Sequence, residues 1–274
     1  MPKYACKLFY LGTGYHGSQY QPNLPTIQGE LINGLTKWSG YEYPSTSVAF
    51  SGRTDKGVNS IGQTVCFETE GKIQINQINE HLPEDIILWA ETEVPMDFNP
   101  RHRVLFRHYR YYFDTSQSDV DFSRIMNAAS KLEGLHDFQF LSKPDGDKST
   151  NTVLLNVCIA NERITFADFY GINFLWKLVR KSVNLLVSIG KGEIHPNVCR
   201  QLLDGADVLP SGIEPAPPEN LFLIDAAIPL RMKKNKNALN TIRKRLKKRI
   251  AYFHRYRRAL EGVVADCFNE TFLC

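Results

Sequence analysis

The sequence predicts an α+β fold of two tandem split-βαβ halves, residues 1–105 and 106–230, followed by a basic helical tail, residues 231–274. Three observations predict it. Apolar residues alternate between strand spacing and helix spacing, that alternation occurs twice along the chain, and the charge changes sign near residue 230.

In the first half, Tyr4 to Tyr10 reads as a strand, followed by a glycine-rich turn at Gly12, Gly14 and Gly17. Ile27, Leu31, Ile32, Leu35 and Trp38 recur at helical spacing, and Gly40 closes that helix. Val48 to Ser51 reads as extended, Gly52 to Gly57 as a polar turn, and Thr64 to Thr69 as a strand. A short helix around Ile73 to His81 and a strand from Ile86 to Val94 complete the unit.

The second half opens with a strand from Tyr109 to Asp114 and a helix from Phe122 to Leu132, with Asp121 as its N-cap and Gly134 beyond its end. A hairpin follows, Val153 to Ala160 and Ile164 to Tyr170, turning near Asn161-Glu162. An apolar helix is expected from Phe174 to Ile189, a shorter one from Pro196 to Leu203, and a last strand from Leu221 to Ile228. Asp207 to Glu219, rich in proline and glycine but carrying apolar residues, reads as an ordered loop. In the tail, Leu239, Ile242, Leu246, Ile250, Phe253 and Leu260 place one apolar stripe on a helix whose other faces are mostly Lys and Arg.

Hydrophobic residues are 43% of the 274, the level of a soluble globular protein. No apolar run approaches the roughly 20 residues that span a bilayer, and the N-terminus has no signal-peptide core, so the expected compartment is the cytoplasm. The six cysteines fall in no zinc-ligand spacing; reduced, buried thiols are expected, with no metal and no disulfide framework. The net charge of +4 divides unevenly: 20 Lys and Arg against 26 Asp and Glu up to Leu230, a net of −6, then 13 against 3, a net of +10. A mildly acidic body with a basic tail points to a polyanion, most simply nucleic acid.

Ser51-Gly52-Arg53-Thr54-Asp55-Lys56-Gly57-Val58 is the most informative stretch. It places a carboxylate at a glycine-flanked turn between strands, where the side chain can project into a cleft. Arg53, two residues away, shares its face if the backbone is extended, and a guanidinium there would orient Asp55 or lie along a phosphate or sugar. The same composition also suits an exposed hairpin turn with a local ion pair.

Gly52 to Val58, with Gly62-Gln63 following, resembles the active-site motif of the TruA family of tRNA pseudouridine synthases. Further matches run in order over nearly all of residues 4–228. They are Thr26-Ile27-Gln28 with Leu31, Leu82-Pro83-Glu84-Asp85-Ile86, Asp97-Phe98-Asn99-Pro100-Arg101, Arg107-His108-Tyr109-Arg110-Tyr111, Phe174 with Leu178-Val179-Arg180, and Ala216 to Leu223. Leu11, Ser18, Asn59 and Asn220 depart from the residues usual in bacterial members, and the chain resembles an archaeal-type member. These departures bear on RNA contacts and choice of tRNA site rather than on the reaction.

The resemblance implies two ferredoxin/RRM-like halves with antiparallel sheets flanking a basic catalytic cleft. Asp55 would be the nucleophile of an isomerisation of uridine to pseudouridine in tRNA, with Arg53 and Arg180 beside it. Arg180 lies in an apolar helix, where an unpaired guanidinium is costly; pairing with Asp55 resolves the cost, and snorkelling to solvent, expected of Lys177 and Lys181, is the alternative. Tyr109 and Tyr111 share a strand face, for which core packing is the ordinary explanation, while the family assigns Tyr109 to stacking on the uracil and to proton transfer. Leu223 would form an apolar floor under the base, or plain core. No cofactor is implied, since the reaction has no net redox or group transfer. The implied target is the 3′ side of the anticodon stem-loop, positions 38, 39 and 40, with a homodimer holding the tRNA.

The tail is expected to contact tRNA backbone through Lys244, Arg245, Lys247 and Lys248; a docked helix with a solvated basic face is the alternative. A non-catalytic RNA-binding module would keep the tail without needing Asp55, Tyr109 and Arg180. An aspartyl-phosphate enzyme would want a carboxylate cluster for magnesium. A membrane-surface helix finds support only in the tail's aromatic residues.

Overall fold

In the computed structural model, residues 1–114, 120–161 and 164–267 are described. The chain runs β1 (Lys3–Tyr10), α1 (Ile27–Ser39), β2 (Ala49–Phe50), β3 (Asn59–Glu68), α2 (Ile75–Glu80), β4 (Ile86–Val94), α3 (Pro100–Arg103) and β5 (Phe106–Tyr112). It continues with α4 (Phe122–Ala129), β6 (Gly134–Asp137), β7 (Asn151–Asn161), β8 (Thr165–Gly171), α5 (Leu178–Gly190), α6 (Asn197–Leu203), β9 (Leu221–Ala227), β10 (Lys233–Lys234) and α7 (Lys236–Cys267).

The mixed α and β content and the mostly antiparallel strand pairing agree with the predicted class. The expected pair of sheets is, however, one continuous ten-stranded sheet among the described residues, in the order β10-β4-β1-β3-β9-β5-β8-β7-β6 with β2 also on β3. The join is a short parallel pairing of β3 with β9, Asn59 opposite Phe222 and Ser60 opposite Leu223. Sequence pattern could not show it, because the last strand of the second half supplies the edge partner of the first.

Polar side chains make that join possible. Residues 59–63 of β3 are too polar to read as strand, yet Asn59, Ser60 and Gln63 are buried. Asn59 accepts from the Gly12 amide at 2.9 Å and donates to the Glu219 carbonyl at 2.7 Å; the Ser60 hydroxyl donates to the Leu223 carbonyl at 3.1 Å. Lys7, on β1, reaches past β3 to the Asp225 carboxylate at 2.5 Å and the Ala226 carbonyl at 2.6 Å. Burial pulls the Lys7 ammonium below its ordinary pKa, and the Asp225 charge opposes that pull.

The apolar core falls into two large clusters on either side of the join. One packs α1 and α2 on β1, β3 and β4 through Leu8, Tyr10, Leu31, Leu35 and Ile78, and the other packs α4, α5 and α6 on β5, β8 and β9 through Tyr109, Ile125, Phe169, Leu186 and Leu202. Asp121 caps α4 as expected, accepting from the amides of Ser123 and Arg124. The helix itself ends at Ala129 and tightens into a 3-10 turn through Leu132. The loop after α6 is anchored by buried Ile213 and Ala216. The turn near Glu162 lies outside the described residues, as do Cys274 and the side chain of Cys267. Cys6, Cys66 and Cys199 are buried free thiols, whereas Cys158 is exposed, because its position on β7 faces away from the helical layer.

The helix expected from Phe174 begins instead at Leu178. Upstream carbonyls are committed elsewhere: Ile172 to the Arg107 guanidinium, Asn173 to the Thr152 hydroxyl and Trp176 to the Lys143 amide. The start of α7 docks on the first cluster through Ala238, Ile242 and Leu246, but farther along the stripe Ile250 is 68% exposed and Phe253 and Leu260 are also exposed. No helix of the described residues is long and apolar enough to cross a membrane.

Candidate active site

Asp55 stands on the loop from β2 to β3, and the part of that loop leading into it, Ser51 to Thr54, is tied down. The Ser51 amide donates to the Thr64 carbonyl at 2.8 Å, and the Ser51 carbonyl accepts from the Arg107 guanidinium. Gln63 donates to the Gly52 carbonyl at 2.9 Å. Thr54 is held from both directions: its amide donates to the Ser18 hydroxyl at 2.8 Å, its carbonyl accepts from the Ser18 amide at 3.1 Å, and its hydroxyl lies 2.8 Å from that of Tyr10. Gly17, at φ 95°, passes so close that a Cβ there would sit 3.0 Å from the Thr54 carbonyl oxygen. The loop is therefore a rigid mount, and the Asp55 side chain projects from it, 24% exposed.

The ion partner of Asp55 is Arg180, in the first turn of α5 and 12% exposed, with Nη1 3.1 Å from Oδ2. Arg180 is itself held by the loop between α6 and β9, since Nε donates to the Ala216 carbonyl at 2.6 Å and its carbonyl accepts from the Ala216 amide at 3.0 Å. Asp55 has no second side-chain partner among the described residues, and it lines the cleft. Arg53, expected on the same face as Asp55, is exposed and makes no ion pair with it among the described residues. Arg53 and Asp55 both line the cleft, but the guanidinium that reaches the carboxylate is that of Arg180. The local turn pair is thus replaced by a long-range one.

The cleft around this pair holds about 620 Å³. Its wall combines the Asp55 loop, the Gly17–Gln19 segment, Tyr109 from β5 and the run from Asn173 to Arg180. Arg53, Lys56, Arg101, Arg107, Lys177 and Arg180 line it against Asp55 and Asp145, so the lining is net basic although the body of the chain is acidic. Such a field favours a polyanion with its phosphates along the rim. Among the described residues no cluster of three or more His, Cys, Asp or Glu is arranged to hold a metal ion.

Tyr109 forms the aromatic side of the cleft. Its ring meets that of Phe174 edge to face, centroids 4.8 Å apart. Burial pushes its hydroxyl well above the ordinary tyrosine range, with the nearby Asp55 charge adding to the rise. It is therefore a neutral phenol, suited to stacking and hydrogen bonding rather than to acting as a phenolate base. Tyr111, on the same strand face, is buried in the second core cluster, and burial pushes it up to about 12. Leu223 sits opposite Tyr109 in the strand register, fully buried beneath it and off the cleft wall, while Leu221 lines the cleft.

Of the tail residues, Lys244, Lys247 and Lys248 are exposed. Arg245 instead donates to the Glu84 carbonyl at 2.6 Å and fastens α7 to the body.

Several functional residues escaped sequence reasoning. Arg107 belongs to one of the matched motifs, but nothing in its spacing showed that its buried guanidinium would bridge the Ser51 and Ile172 carbonyls and so set one cleft wall against the other. Ser18 and Gln63 hold backbone rather than substrate and carry no pattern of their own.

The chain is similar in sequence to known proteins. A family profile described as tRNA pseudouridine synthase matches residues 128–228. The chain is 42% identical over 225 residues to the tRNA pseudouridine synthase A of Methanosarcina acetivorans, covering 80% of this chain and 82% of that protein. It is 35% identical over 274 residues to the protein of the same name from Methanococcoides burtonii, covering 98% of this chain and 96% of that one. The one from Archaeoglobus fulgidus is 35% identical over 255 residues, 92% of this chain and 94% of that protein.

Proposed function

This chain belongs to the tRNA pseudouridine synthase family and isomerises uridine to pseudouridine in tRNA, and from that premise we propose that Asp55 is its nucleophile. In the reaction the bond from ribose C1′ to uracil N1 breaks, the uracil turns, and C1′ bonds to C5; the C5 proton leaves and N1 gains one, so the atoms balance within uridine. An aspartate oxygen that bonds C1′ in between divides the exchange into easier steps. The observation that carries the reading is the pair itself: Arg180 holds Oδ2 at 3.1 Å on a rigid loop, inside a cleft with an aromatic wall. A base inside a stem cannot reach such a cleft without leaving its stack, and Tyr109 offers the face that receives it.

The finer reading follows the family resemblance. The target uridines are positions 38, 39 and 40 of the anticodon arm, the enzyme is a cytoplasmic homodimer, and Tyr109 stacks on the uracil. Residues 1–105 and 106–230 are two split-βαβ halves, a division favoured by the two separate core clusters, and 231–274 is an appended tail. Arg53 and the tail lysines serve RNA phosphates, which their exposure favours.

Asp55→Ala tests the nucleophile. Tritium release from 5-labelled uridine in tRNA is expected to vanish while the melting temperature and tRNA affinity stay near those of the native protein. Turnover near the native level would sink the assignment. Mapping the pseudouridines in the product tRNA decides the positions.

A further inference from the structure

The segment from Ile172 to Lys177 crosses the cleft between β8 and α5 in an unfavourable conformation. Lys177 sits at φ 65° and ψ 3°, in the left-handed region that residues with a Cβ seldom occupy. Its neighbours are held there by tertiary bonds, the Asn173 carbonyl to the Thr152 hydroxyl at 3.0 Å and the Trp176 carbonyl to the Lys143 amide at 2.8 Å. The consequence is an indole kept out of the core. Trp176 is 44% exposed and lines the same cleft as Asp55, and the Lys143 ammonium lies 4.0 Å from its ring centroid. Here the backbone bears strain to display it, which is the behaviour of segments that bind something.

We propose that Trp176, with Lys143 against its ring, is a stacking platform for an unpaired base beside the target uridine, and so a positioning residue for the reaction. The inference rests on reading the cleft as the tRNA site. Its chemistry is direct. An indole face accepts any of the four bases, because each presents a π-surface, and a stacked ammonium can meet the phosphate of the same nucleotide without moving the ring. Phe174, two residues earlier, buttresses Tyr109. One short segment therefore sets both the wall that receives the target base and the platform that receives its neighbour. A neighbour so held keeps the strand open while the target lies in the cleft.

Two measurements test this. In steady-state tritium release, Trp176→Ala is expected to raise KM for tRNA about tenfold, with kcat and melting temperature unchanged, and Trp176→Phe to recover most of the loss. An unchanged KM, or a loss confined to kcat, overturns the platform. In the second, the emission of the inactive Asp55→Asn protein minus that of Asp55→Asn/Trp176→Phe isolates Trp176. It is titrated with an RNA stem-loop carrying an unpaired loop and with a fully paired duplex of matched composition. The loop RNA is expected to quench that emission and the duplex to leave it unchanged; equal response to both overturns the proposal. Wild-type turnover on the anticodon arm, run alongside, reports on the proposed site choice separately. Its failure together with loop-specific quenching would sink the site choice and support the platform.

Discussion

Arg180 reaches Asp55 across 125 residues of chain, and the pair shows how much at this site depends on single side chains. A guanidinium that is 12% exposed needs its partner, and the Ala216 carbonyl satisfies only Nε. Arg180→Ala is expected to lower stability by about 2 kcal/mol, short of the full penalty for breaking a buried pair because Asp55 stays within reach of water. The same change leaves the Asp55 carboxylate free to rotate, and misplaced reacting groups lose roughly hundredfold in rate. Thermal melting and tritium release together check it; an unaltered melt with native turnover would show that Arg180 serves neither. Its apolar neighbours already marked Arg180 as a residue in need of a partner. Arg53 shows the opposite case, since its proximity in sequence suggested a pairing that the fold gives to Arg180 instead.

At the scale of elements, the informative misreading is the start of α5. Phe174 to Trp176 are apolar and in phase with the helix, so spacing alone extends it four residues too far. Two of the carbonyls needed for that extra turn, those of Asn173 and Trp176, are already bonded to Thr152 and Lys143, and Lys177 turns left-handed to begin the helix afresh. Lys177→Gly is expected to relieve this strain and stabilise the fold by about 0.5–1 kcal/mol, since glycine meets no Cβ clash there, although its freer unfolded chain offsets part of the gain. A rise in melting temperature checks it; a fall would mean that the lysine stem packs usefully enough to outweigh the strain. The Asp121 cap and the Gly40 close of α1 were legible because such signals are local and act through their own backbone.

Across the whole molecule, charge is distributed against its own net value. The body is acidic, yet six cationic side chains line its cleft, and α7 carries ten more Lys and Arg. With Lys244, Lys247 and Lys248 exposed and Arg245 tethered to Glu84, phosphate contact falls to the lysines. Changing Lys244, Arg245, Lys247 and Lys248 to Gln is expected to weaken tRNA binding and flatten its dependence on salt, by up to about 0.7–0.9 in the log–log slope for each phosphate no longer neutralised. The single-turnover rate at saturating tRNA is expected to hold. Identical salt slopes for native and variant protein would make α7 a structural helix only.

The sequence by itself determined the reaction class, the Asp55 loop, the need of Arg180 for a partner, and most strands and helices. These rest on local chemistry: an ordered set of motifs, residue spacing on one element, and caps that bond their own backbone. The tertiary structure alone decided that the strands form one sheet, that Arg180 rather than Arg53 holds Asp55, that Leu221 rather than Leu223 lines the cleft, and that Trp176 is displayed. Each of these depends on which distant carbonyl, carboxylate or strand edge satisfies a buried polar group. Satisfaction of that kind is a property of the assembled molecule, because the partners are far apart in the chain and leave no period or spacing to read.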